Sequence, residues 1–285
     1  VKKNRTFSFL VILITYVLAV IIGLVIFNRN ITNNFYINVF IADVIATIFV
    51  FIVGLIFKNA SIYDPYWSVA PIVIIPLSMI HFKNYSLGAI LLLIAIAYWG
   101  IRLTLNWAYT FKNLLTQDWR YTMFQEKTKK WFPLVSLAGI HLIPTLIVYF
   151  AILPGVYFLS QTNFSYLSII GLIISLVAAT IQLISDIQVH KFRKNNPRNK
   201  YIDEGLWKYS RHPNYFGEVL MWWGVYLFML FSDFSRWYLI IGAILNTLLF
   251  IFISIPMQEK RLLTYKDNYN EYQRSTSVLL ILPKK

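Results

Sequence analysis

The chain has 285 residues, 58% of them hydrophobic, no cysteine, and a formal net charge of +14. Soluble domains sit at about 45–50% apolar, so an ordinary soluble enzyme is excluded, as are disulfides, thiolate metal centres and a cysteine nucleophile. On a soluble protein this charge would point to nucleic acid; on a membrane protein it is first a topology signal, and no nucleic-acid partner is expected.

The apolar residues come in blocks of about 20, the length at which a helix crosses ~30 Å of hydrocarbon. Eight spans are predicted, at roughly 8–27, 37–57, 67–81, 86–109, 132–153, 165–187, 215–232 and 236–256. The fold class is an all-α polytopic membrane helical bundle of about eight transmembrane helices, with seven to ten compatible with the pattern. The first run, Phe7 to Phe27, is too long for the core of a cleavable signal. Prolines 71, 76 and 144 are expected to kink their helices. With both termini in the cytoplasm, 22 of the 26 Lys and Arg face that side, 3 face the other, and Arg102 lies within a span. That asymmetry obeys the positive-inside rule.

Taken in chain order, the polar residues that need an explanation begin with Asp64, in Ser61-Ile-Tyr-Asp-Pro-Tyr-Trp67. Asp64 is a candidate cap for the third span, with Pro65 at its first position. Arg102, Asn106 and Tyr109 share a face of the fourth span, and Asp64 is the expected anion for Arg102. A structural Asp–Arg pair and an acid poised in a lipid-lined pocket are both compatible with this pattern. Asp118 and Arg120 are expected to pair, flanked by Trp119 and Tyr121 as interfacial aromatics.

Gln182, Asp186, His190 and Arg193 follow helical spacing and line one face of the sixth span, either as a membrane-exit ion pair or as a polar wall. The loop after them leads into Gly205-Leu-Trp…Arg211-His-Pro-Asn-Tyr-Phe-Gly-Glu218. Here Pro213 fixes the turn, Asn214 is a candidate cap, and Glu218 requires a partner, with Arg211 or Arg193 in reach. Capping and snorkelling at the interface would also account for these groups, but so many donors rarely cluster for capping alone. Glu259, Arg261 and Tyr265 follow the last span, as a solvated helix or as the lower wall of a site. His81, His141, His190 and His212 are scattered, so no metal site is expected. There is no Gly-x-Gly-x-x-Gly after a strand and no Walker loop.

The stretch Gly205 to Glu218, preceded by Asp186 and Arg193, resembles the C-terminal half of the steroid 5α-reductase family. The whole chain is similar to the bacterial and protist membrane branch of that superfamily, which shares its Asp-Pro-Tyr-Trp-Ser and Asp-Trp-Arg-Tyr segments. The resemblance implies a seven-helix enzyme that uses NADPH to reduce a carbon–carbon double bond conjugated to a carbonyl. Asp186, Arg193, Asn214 and Glu218 match the family's cofactor residues; Gln182 stands where the family has Asn, and Tyr265 and Arg261 lie near its C-terminal Tyr and basic partner. Tyr201, Arg211, His212 and Tyr215 complete the cofactor set, with Arg193 and Arg211 as phosphate clamps. Asp64 precedes Pro71 at the spacing of the family's catalytic carboxylate; Arg102 falls near its catalytic Tyr, with Tyr98 and Tyr109 as neighbours. The whole chain, 1–285, is then one integral membrane domain with its substrate side in 1–110 and its cofactor side in 165–285. A lipophilic substrate is expected from the bilayer of a bacterial inner membrane or an endoplasmic reticulum-type membrane, with the cofactor site cytoplasmic and membrane lipids as surroundings.

Two alternatives follow from the same residues. Isoprenylcysteine and phospholipid methyltransferases carry an Arg-His-Pro-x-Tyr…Gly motif and a late acidic pair, and Arg211-His-Pro-Asn-Tyr with Glu259-Lys-Arg261 is similar; the cofactor would then be S-adenosylmethionine. A non-enzymatic lipid-binding protein would keep the fold and lose the cofactor.

Overall fold

The computed structural model describes residues 4–161 and 163–284; Lys2, Lys3 and Lys285, counted in the charge asymmetry, lie outside the described residues. Its helices are α1 (Arg5–Asn28), α2 (Phe35–Phe57), α3 (Tyr66–Phe82), α4 (Leu87–Thr110), α5 (Trp119–Thr128), α6 (Phe132–Val135), α7 (Ile143–Leu159), α8 (Ser168–Asn195), α9 (Pro213–Leu230), α10 (Ile241–Leu249), α11 (Ile255–Leu262) and α12 (Tyr269–Ser275). No strand occurs among the described residues. Among the described residues, seven helical segments are long and apolar enough to cross a bilayer. The chain is a polytopic helical membrane protein in a lipid environment, and residues such as Leu13, Ile56, Ile80, Leu105 and Phe252 turn outward as lipid contact requires. The predicted span 215–232 is α9, which falls outside those seven because Asn214 and Glu218 dilute its apolar character.

Local sequence sets the helix ends. Asn4 and Asn34 accept hydrogen bonds from Phe7 N and Ile37 N and so cap α1 and α2. Lys58 ends α2 in the left-handed region, and Asn59 then caps the short 3-10 turn Ala60–Tyr63. Prolines 71 and 76 lie inside α3 and Pro154 inside α7. Two π-helical turns, Ser136–Leu142 before α7 and Phe250–Ser254 between α10 and α11, interrupt the predicted fifth and eighth spans.

The chain divides into two compact units interleaved in sequence: Val1–Ser78 with Leu103–Tyr149, and Met79–Arg102 with Phe150–Lys285. The core of the first unit gathers Ile12, Tyr16 and Ala19 of α1, Ala46 and Val50 of α2, and Ile62, Tyr63, Tyr66, Phe111 and Leu114. Polar ties hold its irregular backbone. Tyr16 Oη donates to Ile62 O at 2.9 Å, and Asn59 Nδ2 donates to Leu114 O at 2.8 Å. Such ties satisfy carbonyls that no helix completes.

The second unit is built on the pairing of α8 with α9. Their backbones meet closely at Gly224, where a Cβ would lie 2.3 Å from Ser175 Oγ and 2.8 Å from Gly171 O. In lipid, small residues permit the close packing that replaces the hydrophobic drive. Trp99, Trp222, Phe158 and Phe228 fill the interior. The C-terminal tail lies along the segment before α9: Arg211 N donates to Ser277 O at 2.9 Å, Ser210 Oγ to Leu279 O at 2.7 Å, and Leu282 N to Tyr209 O at 3.1 Å.

Candidate functional site

Within the second unit, α4, α8 and α9 bring a set of polar side chains into an apolar interior. Pro213 opens α9 at its first position, where its missing N–H costs nothing, and His212 rather than Asn214 is the residue before the helix. Asn214 therefore sits in the first turn, where its Oδ1 accepts from Tyr215 N at 3.1 Å. One turn further, Glu218 is buried, and it is partnered neither by Arg211 nor by Arg193. Its two oxygens accept from the indole N–H groups of Trp99 and Trp222 at 2.9 and 3.0 Å. The buried guanidinium of Arg102 acts on the same carboxylate, so Glu218 is held by two indole donors beside a cation.

Arg102, at the end of the α4 segment in this unit, donates from Nη1 to Asp186 Oδ2 at 3.0 Å. Asp186, and not Asp64, is thus its anion. Asn214 and Arg193 also act on the Asp186 carboxylate. Gln182 lies one turn before Asp186 on α8 and packs beneath Gly217, where a Cβ would fall 2.5 Å from Gln182 Cγ. Two buried donors here have no partner, Arg102 Nε and Arg102 Nη2, while the Gln182 amide lies against the Glu218 carboxylate. An unpaired buried N–H costs about 1–3 kcal/mol, so these two are costly groups to leave unmatched. Tyr98, one turn before Arg102, shares a hydrogen bond with Thr180 at 3.2 Å.

At the loop end of α8 the character changes to cationic. Lys266 Nζ donates to Arg198 O at 2.8 Å. Burial, and then the neighbouring Arg193 and Arg198 guanidiniums, lower the Lys266 ammonium below its ordinary value. Tyr265 lies under Arg198, whose guanidinium carbon is 5.2 Å from the ring centre. Tyr201 stacks on Tyr272 at 4.8 Å. Gly205 takes a left-handed φ of 58° so that Leu206 N reaches Gln188 Oε1 at 3.0 Å, and Trp207 Nε1 donates to Ser185 O at 3.1 Å. The Gly-Leu-Trp segment thereby pins the loop onto α8.

Arg211 and His212 are committed elsewhere. Arg211 donates to Glu259 at 2.7 and 3.3 Å, to Thr276 O at 3.2 Å and to Gln273 O. His212 Nε2 also meets Glu259, at 3.2 Å, and its ring stacks on Tyr215. Burial pushes the His212 imidazole below its ordinary value, and the Glu259 contact partly opposes that. This knot ties α9, α11 and the C-terminal tail together. Arg261 lies half-buried near the end of α11.

The first unit holds the remaining candidates. Asp64 accepts from Tyr121 Oη at 2.7 Å, so its carboxylate reaches α5. Asp118 pairs with Arg120 at 2.8 Å, as the sequence predicts, and it also caps α5. Tyr109 is 68% exposed. A buried carboxylate that sequence reasoning passed over is Asp43, which accepts from Tyr66 Oη at 2.8 Å. Its signal was available: it is the lone charged residue in the run 35–57. Trp99 and Trp222 carried no such signal, because tryptophans in a span read as interior packing or interfacial belt.

Comparison with known proteins adds family membership. The chain belongs to the family described as "Protein of unknown function (DUF1295)", which matches residues 50–276. It is similar to Uncharacterized protein C594.04c of Schizosaccharomyces pombe, 26% identical over 230 residues that cover 69% of this chain. The chain spans 65% of that relative's length. No solved structure matches the chain.

Proposed function

We propose that this protein is a steroid 5α-reductase-like membrane reductase, which uses NADPH to saturate a carbon–carbon double bond conjugated to a carbonyl in a lipophilic substrate. The observation that carries this reading is the polar wall of α8. It begins with Gln182 and the unpaired donors of Arg102 beside Asp186, and it runs to Arg193 and the loop cations Arg198 and Lys266. A dinucleotide has the same polarity, with an amide and ribose at one end and phosphates at the other. The donor set fits: Gln182, Asp186 and Asn214 suit the carboxamide and ribose, and Arg193 with Arg198 and Lys266 suits phosphate. Arg211, neutralised by Glu259, is assigned a positioning role and not a phosphate contact.

When bound, NADPH would supply the hydride needed at the β-carbon of the conjugated double bond. The protein's part is alignment, exclusion of water and stabilisation of charge on the carbonyl oxygen. Tyr98, one helical turn from Arg102, would donate a hydrogen bond to that oxygen, and the enolate left by hydride transfer would take its α-carbon proton from water as the site reopens. Glu218, fixed by two indoles, holds the floor of the site rigid. Asp64 and Tyr109 are given no step in this reading.

The test is cofactor binding by the purified full chain in detergent. NADPH raises the melting midpoint and is bound with quenching of tryptophan emission. Arg193→Ala weakens NADPH binding about tenfold, a loss of ~1.4 kcal/mol, and the double variant Asn214→Ala/Glu218→Ala abolishes it. No response of the wild-type chain to NADPH, or unchanged affinity in the double variant, overturns the reading. S-adenosylmethionine serves as the comparison ligand. The methyltransferase alternative is favoured by one observation, the meeting of Glu259 with Arg211 and His212 that unites the two motif halves on which it rests. Stabilisation by S-adenosylmethionine alone would select it.

A further inference from the structure

A slot in the first unit is independent of the reductase reading. It lies among α1, α2 and α3 and has a volume of about 60 Å³. Small side chains hollow it out: Ala19 and Gly23 on α1, Ala42 and Ala46 on α2, and Ala70 on α3. A Cβ added at Gly23 would meet Ala42 O and Ala46 Cβ at 3.9 Å, an ordinary contact, so the wall there has room to spare. Val20, Val69 and Val73 on the walls are half-buried and Leu24 is exposed. The slot therefore opens sideways between α1 and α3, where lipid lies.

One carboxylate breaks the apolar lining. Asp43 is on the wall and 8% exposed, and its Oδ1 accepts from Tyr66 Oη at 2.8 Å. Tyr66 is its sole side-chain partner among the described residues, so Oδ2 is left without a donor. Oδ2 keeps accessible surface, unlike the sealed Nε2 of His141. An acceptor set in hydrocarbon without a donor costs free energy until a guest supplies one. Tyr16 packs beside Tyr66, with ring centres 6.2 Å apart, and marks the same end of the slot. Leu24 and Leu77 lie on α1 and α3 towards the other end. From Tyr16 to Leu24, and from Tyr66 to Leu77, the helical rise of ~1.5 Å per residue gives a length of roughly 12–16 Å. A dry cavity of ~150 Å³ holds a benzene, so this narrower slot admits a single chain and excludes a fused-ring frame.

We propose that the slot binds a single-chain lipid whose one polar group is a terminal hydrogen-bond donor, with that group donating to Asp43 Oδ2 and the chain lying between α1 and α3. The chemistry is shared by long-chain alcohols and long-chain amines.

The experiment uses the full chain in phosphatidylcholine nanodiscs and a long-chain alcohol that carries a photoactivatable diazirine on its chain. Irradiation is expected to label peptides from 16–24 and 66–77 above those of the other spans, as read by mass spectrometry. Dodecanol or dodecylamine should compete about tenfold more strongly than dodecane, which has no donor, and methyl laurate, which only accepts; that factor corresponds to one hydrogen bond of ~1.4 kcal/mol. Competition by dodecanol alone assigns the site to a hydroxyl lipid, and competition by dodecylamine alone assigns it to an amine. Asp43→Asn keeps the Tyr66 bond through Oδ1, puts a donor where Oδ2 was, and lowers the labelling by a similar factor. Because that variant touches a buried polar pair, Gly23→Leu provides the second check. It fills the slot from α1 with Asp43 and Tyr66 in place, and it abolishes the labelling while the melting midpoint of the ligand-free protein is unchanged or higher. Labelling spread evenly over the spans, equal competition by dodecane, or labelling that survives both substitutions overturns the proposal.

Discussion

Glu218 and Arg102 show how side chains in a low-dielectric interior choose partners. Sequence proximity favoured Arg211 for Glu218 and Asp64 for Arg102. The fold instead gives Glu218 two indole N–H donors and gives Arg102 the carboxylate of Asp186. Chain order says little about such choices, because helices from distant parts of the sequence meet at one depth. His212 carries a testable consequence at this scale. It is 3% exposed, and burial lowers its imidazole below the ordinary value of 6.5. Folding therefore favours the neutral ring, so this contribution is fully present above pH 6.5 and is lost as pH falls from there towards the lowered folded value. The melting midpoint should hold steady from pH 8 to 7 and drop below pH 6.5, by about 2–4 °C for each kcal/mol lost. His212→Gln should flatten that acid limb. An unchanged limb in the variant would assign the loss to other groups.

Helix pairing is governed by small residues. The contact of α8 with α9 sets the distance between Asp186 and Gln182 on one helix and Asn214 and Glu218 on the other. Gly224 lies seven residues after Gly217, about two turns along the same face of α9, and both touch α8 backbone. Gly224→Val would force the helices apart against Ser175 and Gly171, so it should lower the melting midpoint by 5 °C or more, on the order of 2 kcal/mol. Differential scanning fluorimetry checks this; a midpoint within about 1 °C of wild type would show that the helices slide freely. The limits of the spans were legible because apolar length is a local property. The π-helical turns Ser136–Leu142 and Phe250–Ser254 were not, because an extra residue in a turn leaves hydropathy unchanged.

At the scale of the molecule, the charge asymmetry predicts which loops share a side. The natural absence of cysteine makes the test direct, since single cysteines can be placed and labelled in otherwise unreactive protein. Cysteines at Lys112, Lys200 and Arg274 should react with an impermeant maleimide only after permeabilisation of cells, and cysteines at Arg29, Lys83 and Arg236 should react without it. Labelling of both sets from one side would refute the eight-span topology and with it a cytoplasmic position for the α8 cations.

Hydropathy, charge and the absence of cysteine, read from the sequence alone, determined that this is a polytopic helical membrane protein and where its helices run. They did so because each rests on interactions between a segment and its solvent. The residue types of the polar wall on α8 were also legible, since helical spacing puts Gln182, Asp186 and Arg193 on one face. Only the tertiary structure decided which anion holds Arg102, that Arg211 is consumed by Glu259, and that Asp43 and His141 are buried polar groups with defined surroundings. Those outcomes depend on which distant segments touch, and a chain's own periodicity carries no record of its neighbours.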